Sequence, residues 1–230
     1  MSSSRLRVFP DRAAAGVALA QVLRTRDFKA DVLVLGLPRG GVPIAHEIAQ
    51  TLNAPLDVML VRKVGMPGQP ELAIGAVASG NIVVREPRLQ REFPHLDQVF
   101  DGLAAAEQLE LERRERSWRH GRPPLNLKGK TVILVDDGLA TGATMLAAAR
   151  AARQAGAAAV IAAAPVAAPQ AVALLSHEVD EVVVLQAPPD LAAIGEWYER
   201  FEQLDDAEVS RVLALYHDDR REGALGQSPV

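Results

Sequence analysis

The sequence predicts an α/β fold, a central and mainly parallel sheet flanked by helices, with a helical hood or insertion added to it. Three observations point there. Five short, almost wholly apolar runs recur along the chain, at 31–37, 55–61, 131–135, 158–166 and 181–185. A strand without a polar face suits a parallel sheet covered on both sides. Helical patterns separate the runs, as βαβ units require. Small-residue turns follow the first and third runs, where an open parallel sheet places its ligands.

Composition narrows the class. A chain of 230 residues suffices for one sizeable domain, and 49% hydrophobic with 23% charged residues is globular rather than disordered. A net charge of -4 supplies no global field for nucleic acid or an anionic membrane. With no cysteine, disulfides, thiol catalysis and Cys-ligated metal are excluded. The first sixteen residues lack the apolar core of a signal peptide, and no apolar run reaches membrane-spanning length. A soluble cytoplasmic protein is expected. No internal repeat interrupts the chain, so a single domain is read over 1–216. It includes a helical insertion at about 95–122 and a C-terminal hood and helix at about 187–216, with a flexible tail at 217–230.

The elements follow in order. Asp11 is placed to cap a first helix whose buried side carries Val17, Leu19, Val22 and Leu23. After the first strand, LPRGGVPIA (37–45) turns sharply into a second helix. PLDVMLV (55–61) reads as one buried strand ending in Arg62 and Lys63, and MPGQPELAIG (66–75) as a mobile Pro/Gly loop. AIGAVAS and NIVVRE form a hairpin or bent strand pair around Gly80 and Asn81. From about 95 to 120 runs a long charged helix with favourable i,i+4 pairs Glu110–Arg114, Glu112–Arg116 and Glu115–Arg119. Its interleaved glutamates mark a solvated face rather than an RNA-binding one. After TVILV (131–135), a helix runs from about Thr141 to near Gly156. Asp205 and Glu208 form a capping box that opens a last helix, with Val209, Val212, Leu213 and Tyr216 inward.

The chemistry concentrates in VILVDDGLATGAT (132–144). Its small residues let backbone N–H groups converge on an anion at a helix N-terminus, and Thr141 and Thr144 add hydroxyls. It is not a Walker loop, and no G-x-G-x-x-G is followed by an acid after the next strand. A nucleoside triphosphatase and a dinucleotide oxidoreductase both lose their support. Asp136 and Asp137 would repel a bare phosphate, but they suit a larger ligand. Carboxylates accept hydrogen bonds from vicinal hydroxyls and hold Mg²⁺ directly or through water. A sugar phosphate satisfies both halves of the stretch.

These residues resemble the phosphoribosyl pyrophosphate (PRPP) motif of type I phosphoribosyltransferases. The resemblance implies that Asp136 and Asp137 meet the ribose hydroxyls with Mg²⁺ nearby. It also implies that Ala140, Thr141, Gly142, Ala143 and Thr144 wrap the 5-phosphate beyond Gly138. LPRGGVPIA is similar to the family's pyrophosphate loop, the match being Arg39 and Gly40 with Gly41 beside them. In VRKVG (61–65), Arg62 and Lys63 resemble the basic pair that adenine-type members place near PRPP. The catalytic set so implied is Asp136, Asp137, Arg39 and Lys63. The implied reaction transfers phosphoribosyl from PRPP to a nucleobase or other small nitrogenous acceptor and releases pyrophosphate. The alternative is a regulator that senses PRPP or a nucleotide without transfer.

The insertion resembles that of a group of uncharacterised bacterial phosphoribosyltransferase-like proteins, a likeness that names no acceptor. Trp197, Tyr198 and Phe201 either stack a base or dock a helix on the core. Glu71 is a loop anchor or a substrate contact. His46, His95, His120, His177 and His217 show no metal-ligand spacing. Neither a membrane nor nucleic acid is an expected partner, and a homodimer is left open.

Overall fold

The structure, a computed structural model, describes residues 8–86, 96–119 and 122–225, with the side chains at 70, 71, 96–98 and 217–225 excepted. Four of the apolar runs each form one strand of a five-stranded parallel sheet, and the second supplies a short strand at its edge. β1 (Val32–Gly36) lies between β2 (Leu56–Val58) and β6 (Thr131–Val135), and β7 (Ala159–Val166) and β8 (Glu181–Gln186) extend the sheet beyond β6. All four pairings are parallel.

Alternation along each strand sends side chains into two cores. Val34, Ile133 and Val135 pack with Leu19 of α1 (Arg12–Leu23), Ile44 of α2 (Gly41–Leu52) and Leu213 of the last helix. Leu35, Val132 and Leu134 meet α4 (Ala143–Gln154) through Met145 and Ala148, and α5 (Pro169–Leu175) through Ala171 and Leu175. Each large apolar side chain so buried contributes about 1.5–3 kcal/mol. Helix α5 has no counterpart in the sequence reading.

Asp11 caps α1 as expected, its Oδ1 accepting the Ala14 N–H at 2.8 Å. Gly16 brings α1 close to α2, since a Cβ there would lie 3.0 Å from both the Glu47 side chain and the Ile44 Cα. That crossing turns Ala15, Leu19, Ala20 and Leu23 inward and leaves Val17 46% exposed, against the expectation that it is buried.

The run at 55–61 is not one strand. It leaves the main sheet after β2 and enters β3 (Val61–Met66), which pairs antiparallel with β4 (Gln69–Ala78), itself paired antiparallel with β5 (Ile82–Arg85). Arg62 and Lys63 therefore sit inside a strand of a second sheet. The segment read as a mobile loop is the β3–β4 hairpin, turning at Gly68 (φ 79°), with an irregular register between Val64 and Met66. The Glu71 side chain lies outside the described residues.

α3 (Leu96–Arg119) is the long charged helix, and its three i,i+4 pairs are present at 3.0, 3.9 and 3.2 Å. Its face is not solvated throughout. Arg119 is 6% exposed and makes a two-pronged bond to Asp57 of β2, with both N–O distances 3.0 Å. The pair fastens the insertion to the sheet edge. The capping box of α6 (Asp206–Leu225) is reciprocal: Glu208 N donates to Asp205 Oδ1 at 2.8 Å, and Asp205 N to Glu208 Oε2 at 3.0 Å. Helix α6 continues through 217–225, where the tail was expected. Among the described residues no helix is long and apolar enough to cross a membrane.

Candidate functional site

Because β1 and β6 are neighbours in register, the loops that leave their C-terminal ends emerge side by side. Leu37 N donates to Val135 O at 2.8 Å, carrying the ladder one residue past the strands. The first loop then turns through Pro38, Arg39 and Gly40 into α2, and its Pro38–Arg39 peptide is cis. The two glycines permit contact with the second loop. A Cβ on Gly41 would fall 2.1 Å from Val135 O, and one on Gly40 would fall 1.9 Å from Asp137 Oδ2.

The acids lie at this junction. Asp136 Oδ1 accepts the Asp137 N–H at 2.9 Å, and Asp137 Oδ2 accepts from Arg12 Nε at 2.9 Å. Tyr198 Oη donates to the Asp137 carbonyl at 2.6 Å. Burial, then the Asp137 charge, pushes the Asp136 carboxyl well above the usual carboxylate range. Asp137 is raised by burial too, against the opposing pull of the Arg12 guanidinium. Two adjacent carboxylates repel one another, and a cation held between them relieves that repulsion. Among the described residues no cluster of three acidic or His side chains forms a metal cage. Two adjacent carboxylates instead suit a hard cation such as Mg²⁺ that keeps several waters.

Beyond the acids the backbone runs toward α4. Gly138 packs on a 3₁₀ turn (Ile194–Trp197), where a Cβ would lie 2.5 Å from the Ile194 side chain. Leu139 bridges to Ala167, and Gly142 precedes α4 with φ 75°, a conformation glycine adopts without strain. Ala143 N donates to Thr141 Oγ1 at 3.3 Å. The amides of Ala140, Thr141 and Gly142 have no protein acceptor among the described residues, and Ala140, Thr141, Ala143 and Thr144 are exposed. Free amides at a helix N-terminus form an anion cradle.

The basic residues border the same cradle from β3, on opposite sides of the strand. Arg62 lines a small cavity of about 70 Å³ with Pro38 and Thr144. Lys63 lines a cleft of about 670 Å³ with Thr141, Ala143 and Thr144. Two site cations carry carboxylate partners from peripheral elements. Arg62 pairs with Glu107 of α3, and Arg39 lies 3.6 Å from Asp206 at the start of α6.

Sequence reasoning missed Arg12, Glu107 and Asp206. Only Asp11, read as a cap, marked the neighbourhood of the first, because a helix-start Arg carries no signal of a partner 125 residues away. Of the hood aromatics Tyr198 is docked, Trp197 is half-buried and Phe201 is exposed. Tyr198 is 5% exposed, lies 5.9 Å from the Phe9 ring and stacks on Phe201 at 5.1 Å, and the Arg12 guanidinium lies 3.9 Å from the Phe201 centroid. His46 lies in α2 with its ring edge-on to Tyr216 at 5.8 Å. His95, His120 and the His217 side chain lie outside the described residues.

A parallel sheet with an acid pair and free loop amides at neighbouring strand ends defines an α/β protein of the class that places its ligands beyond the carboxyl ends of the strands. Residues 11–196 match the family model described as phosphoribosyl transferase domain, and the chain belongs to that family. Two Mycobacterium tuberculosis proteins, from strains CDC 1551 and H37Rv, have names that carry the term phosphoribosyl transferase. Each is 44% identical over 222 residues, covering 96% of this chain and 50% of the relative. The chain thus spans about half the length of these curated relatives. The crystal structure of TT1426 from Thermus thermophilus is similar with a TM-score of 0.82 and 43% identity, over 91% of this chain and 99% of that one.

Proposed function

We propose that this chain binds PRPP with Mg²⁺ and transfers its phosphoribosyl group to a small nitrogenous acceptor, a nucleobase or a related amine donor, releasing pyrophosphate. The observation that carries the reading is the contact between Gly40 and the Asp137 carboxylate, which joins the two loops into one site. The amides from Ala140 to Gly142 and the hydroxyls of Thr141 and Thr144 take the 5-phosphate. Asp136 and Asp137 accept from the ribose hydroxyls and hold Mg²⁺, which when bound neutralises charge on the diphosphate. Arg39, Lys63 and the adjoining loop amides stabilise the leaving pyrophosphate, while Arg62 borders it from β3. Displacement at C1 develops positive charge on the ribose ring, which the two carboxylates tolerate, and positioning supplies much of the rate. Nucleotide metabolism in the cytoplasm is the setting that follows from this chemistry.

The test is pyrophosphate release from Mg-PRPP, measured with a panel of purines, pyrimidines and amino donors. Release with at least one acceptor, lost in the double variant Asp136→Asn/Asp137→Asn, is expected. Binding without release for every acceptor would assign the pocket to sensing instead.

A further inference from the structure

We infer that Arg12 is a positioning residue of the site, holding Asp137 in register for the ribose hydroxyls from a segment outside every recognised motif. The inference rests on the PRPP reading above. Three independent constraints fix the Arg12 guanidinium. Nε donates to Asp137 Oδ2 at 2.9 Å, Nη1 donates to the Glu202 carbonyl at 2.9 Å, and its carbon lies 3.9 Å from the Phe201 ring centroid. The side chain is 11% exposed. A planar fork held by two acceptors and a ring has one orientation, which a lysine ammonium cannot reproduce.

The hood completes the clamp. Phe9 N donates to Trp197 O at 2.9 Å and Glu199 N to Phe9 O at 2.8 Å, so the chain entering α1 and the segment around Tyr198 form one unit. Arg200 reaches back to Asp11, the residue that caps α1. That unit grips Asp137 twice, by side chain through Arg12 and by main chain through Tyr198 Oη. Gly40 closes the third side. Among the described residues Arg12 is the cation in contact with the acid pair, and it opposes the repulsion between two adjacent carboxylates. Without it, Asp137 turns away from Asp136 and the diol loses an acceptor.

Calorimetric titration of the full chain with Mg-PRPP, and separately with inorganic pyrophosphate, tests this. Arg12→Gln is expected to weaken Mg-PRPP about tenfold, equivalent to about 1.4 kcal/mol, and to leave pyrophosphate within about twofold. Arg12→Lys keeps the charge without the fork and falls between wild type and Arg12→Gln, which preserves the test if the glutamine variant folds poorly. In an Asp137→Asn background, Arg12→Gln changes nothing further. Equal weakening of both ligands, or an undiminished effect in the Asp137→Asn background, overturns the inference by assigning Arg12 to general stability. Unchanged Mg-PRPP affinity in Arg12→Gln overturns it outright. If wild type itself fails to bind Mg-PRPP, the reading of the site fails and takes the role of Arg12 with it.

Discussion

Gly40 and Asp137 are in contact across two loops, and a single added methyl on Gly40 would fall 1.9 Å from Asp137 Oδ2. The atom it meets is the end of a short side chain that Arg12 already holds. Gly40→Ala therefore drives Asp137 off Arg12, and Mg-PRPP affinity falls about tenfold or more, with overpacking costing about 1–3 kcal/mol of stability. Gly41→Ala behaves differently. Its methyl meets Val135 O at 2.1 Å, backbone of the wholly buried β6, which cannot swing aside. The loss is about 3 kcal/mol or more. Urea unfolding beside calorimetry separates the two, and equal effects on both readouts would refute the distinction.

Glu107 competes with any anion for Arg62, because the two are paired while Arg62 borders the cavity beside Thr144. Both side chains are about one-third exposed, so the pair is worth about 0.2–1 kcal/mol. Glu107→Gln should tighten pyrophosphate binding by up to about fivefold at low salt, and less as salt rises. Weaker binding would show that Glu107 orients Arg62 rather than competing for it.

The Asp57–Arg119 pair carries the attachment of α3 to the sheet. Arg119→Met leaves Asp57 with the longer Arg122 contact at 4.0 Å and takes from Glu115 its helix partner, both in a largely buried setting, at about 3 kcal/mol in urea unfolding. Adding Asp57→Asn recovers part of that loss. It removes a charge that Arg122 compensates only at 4.0 Å, and the amide oxygen still accepts from Val58 N as Asp57 Oδ1 does at 2.8 Å. No recovery in the double variant would mean that lost packing, not stranded charge, is the cost.

Several elements were legible because their causes are local. The caps at Asp11 and Asp205 act within one helical turn, and the i,i+4 pairs of α3 follow from helix geometry alone. The buried strands announce themselves by lacking any polar face. Where the reading failed, a distant partner decided the outcome. The run at 55–61 is apolar throughout, and nothing in it says that β3 leaves the main sheet to pair with β4. Val17 fits the helical stripe, yet the close approach at Gly16 rotates α1 away from it. Arg119 looked like one more solvated arginine until Asp57 came beside it.

The sequence by itself determined the α/β class, the parallel strands and the two loops whose small residues and acids imply a sugar phosphate. Each of those is an interaction of a residue with its near neighbours or with water, so it is written in local pattern. Only the tertiary structure decided that Arg12 meets Asp137 across 125 positions, that Glu107 and Asp206 sit on Arg62 and Arg39, and that Tyr198 of the hood is packed. Those contacts depend on which elements the sheet order β2-β1-β6-β7-β8 brings together. A charged side chain on a helix carries no record of that order.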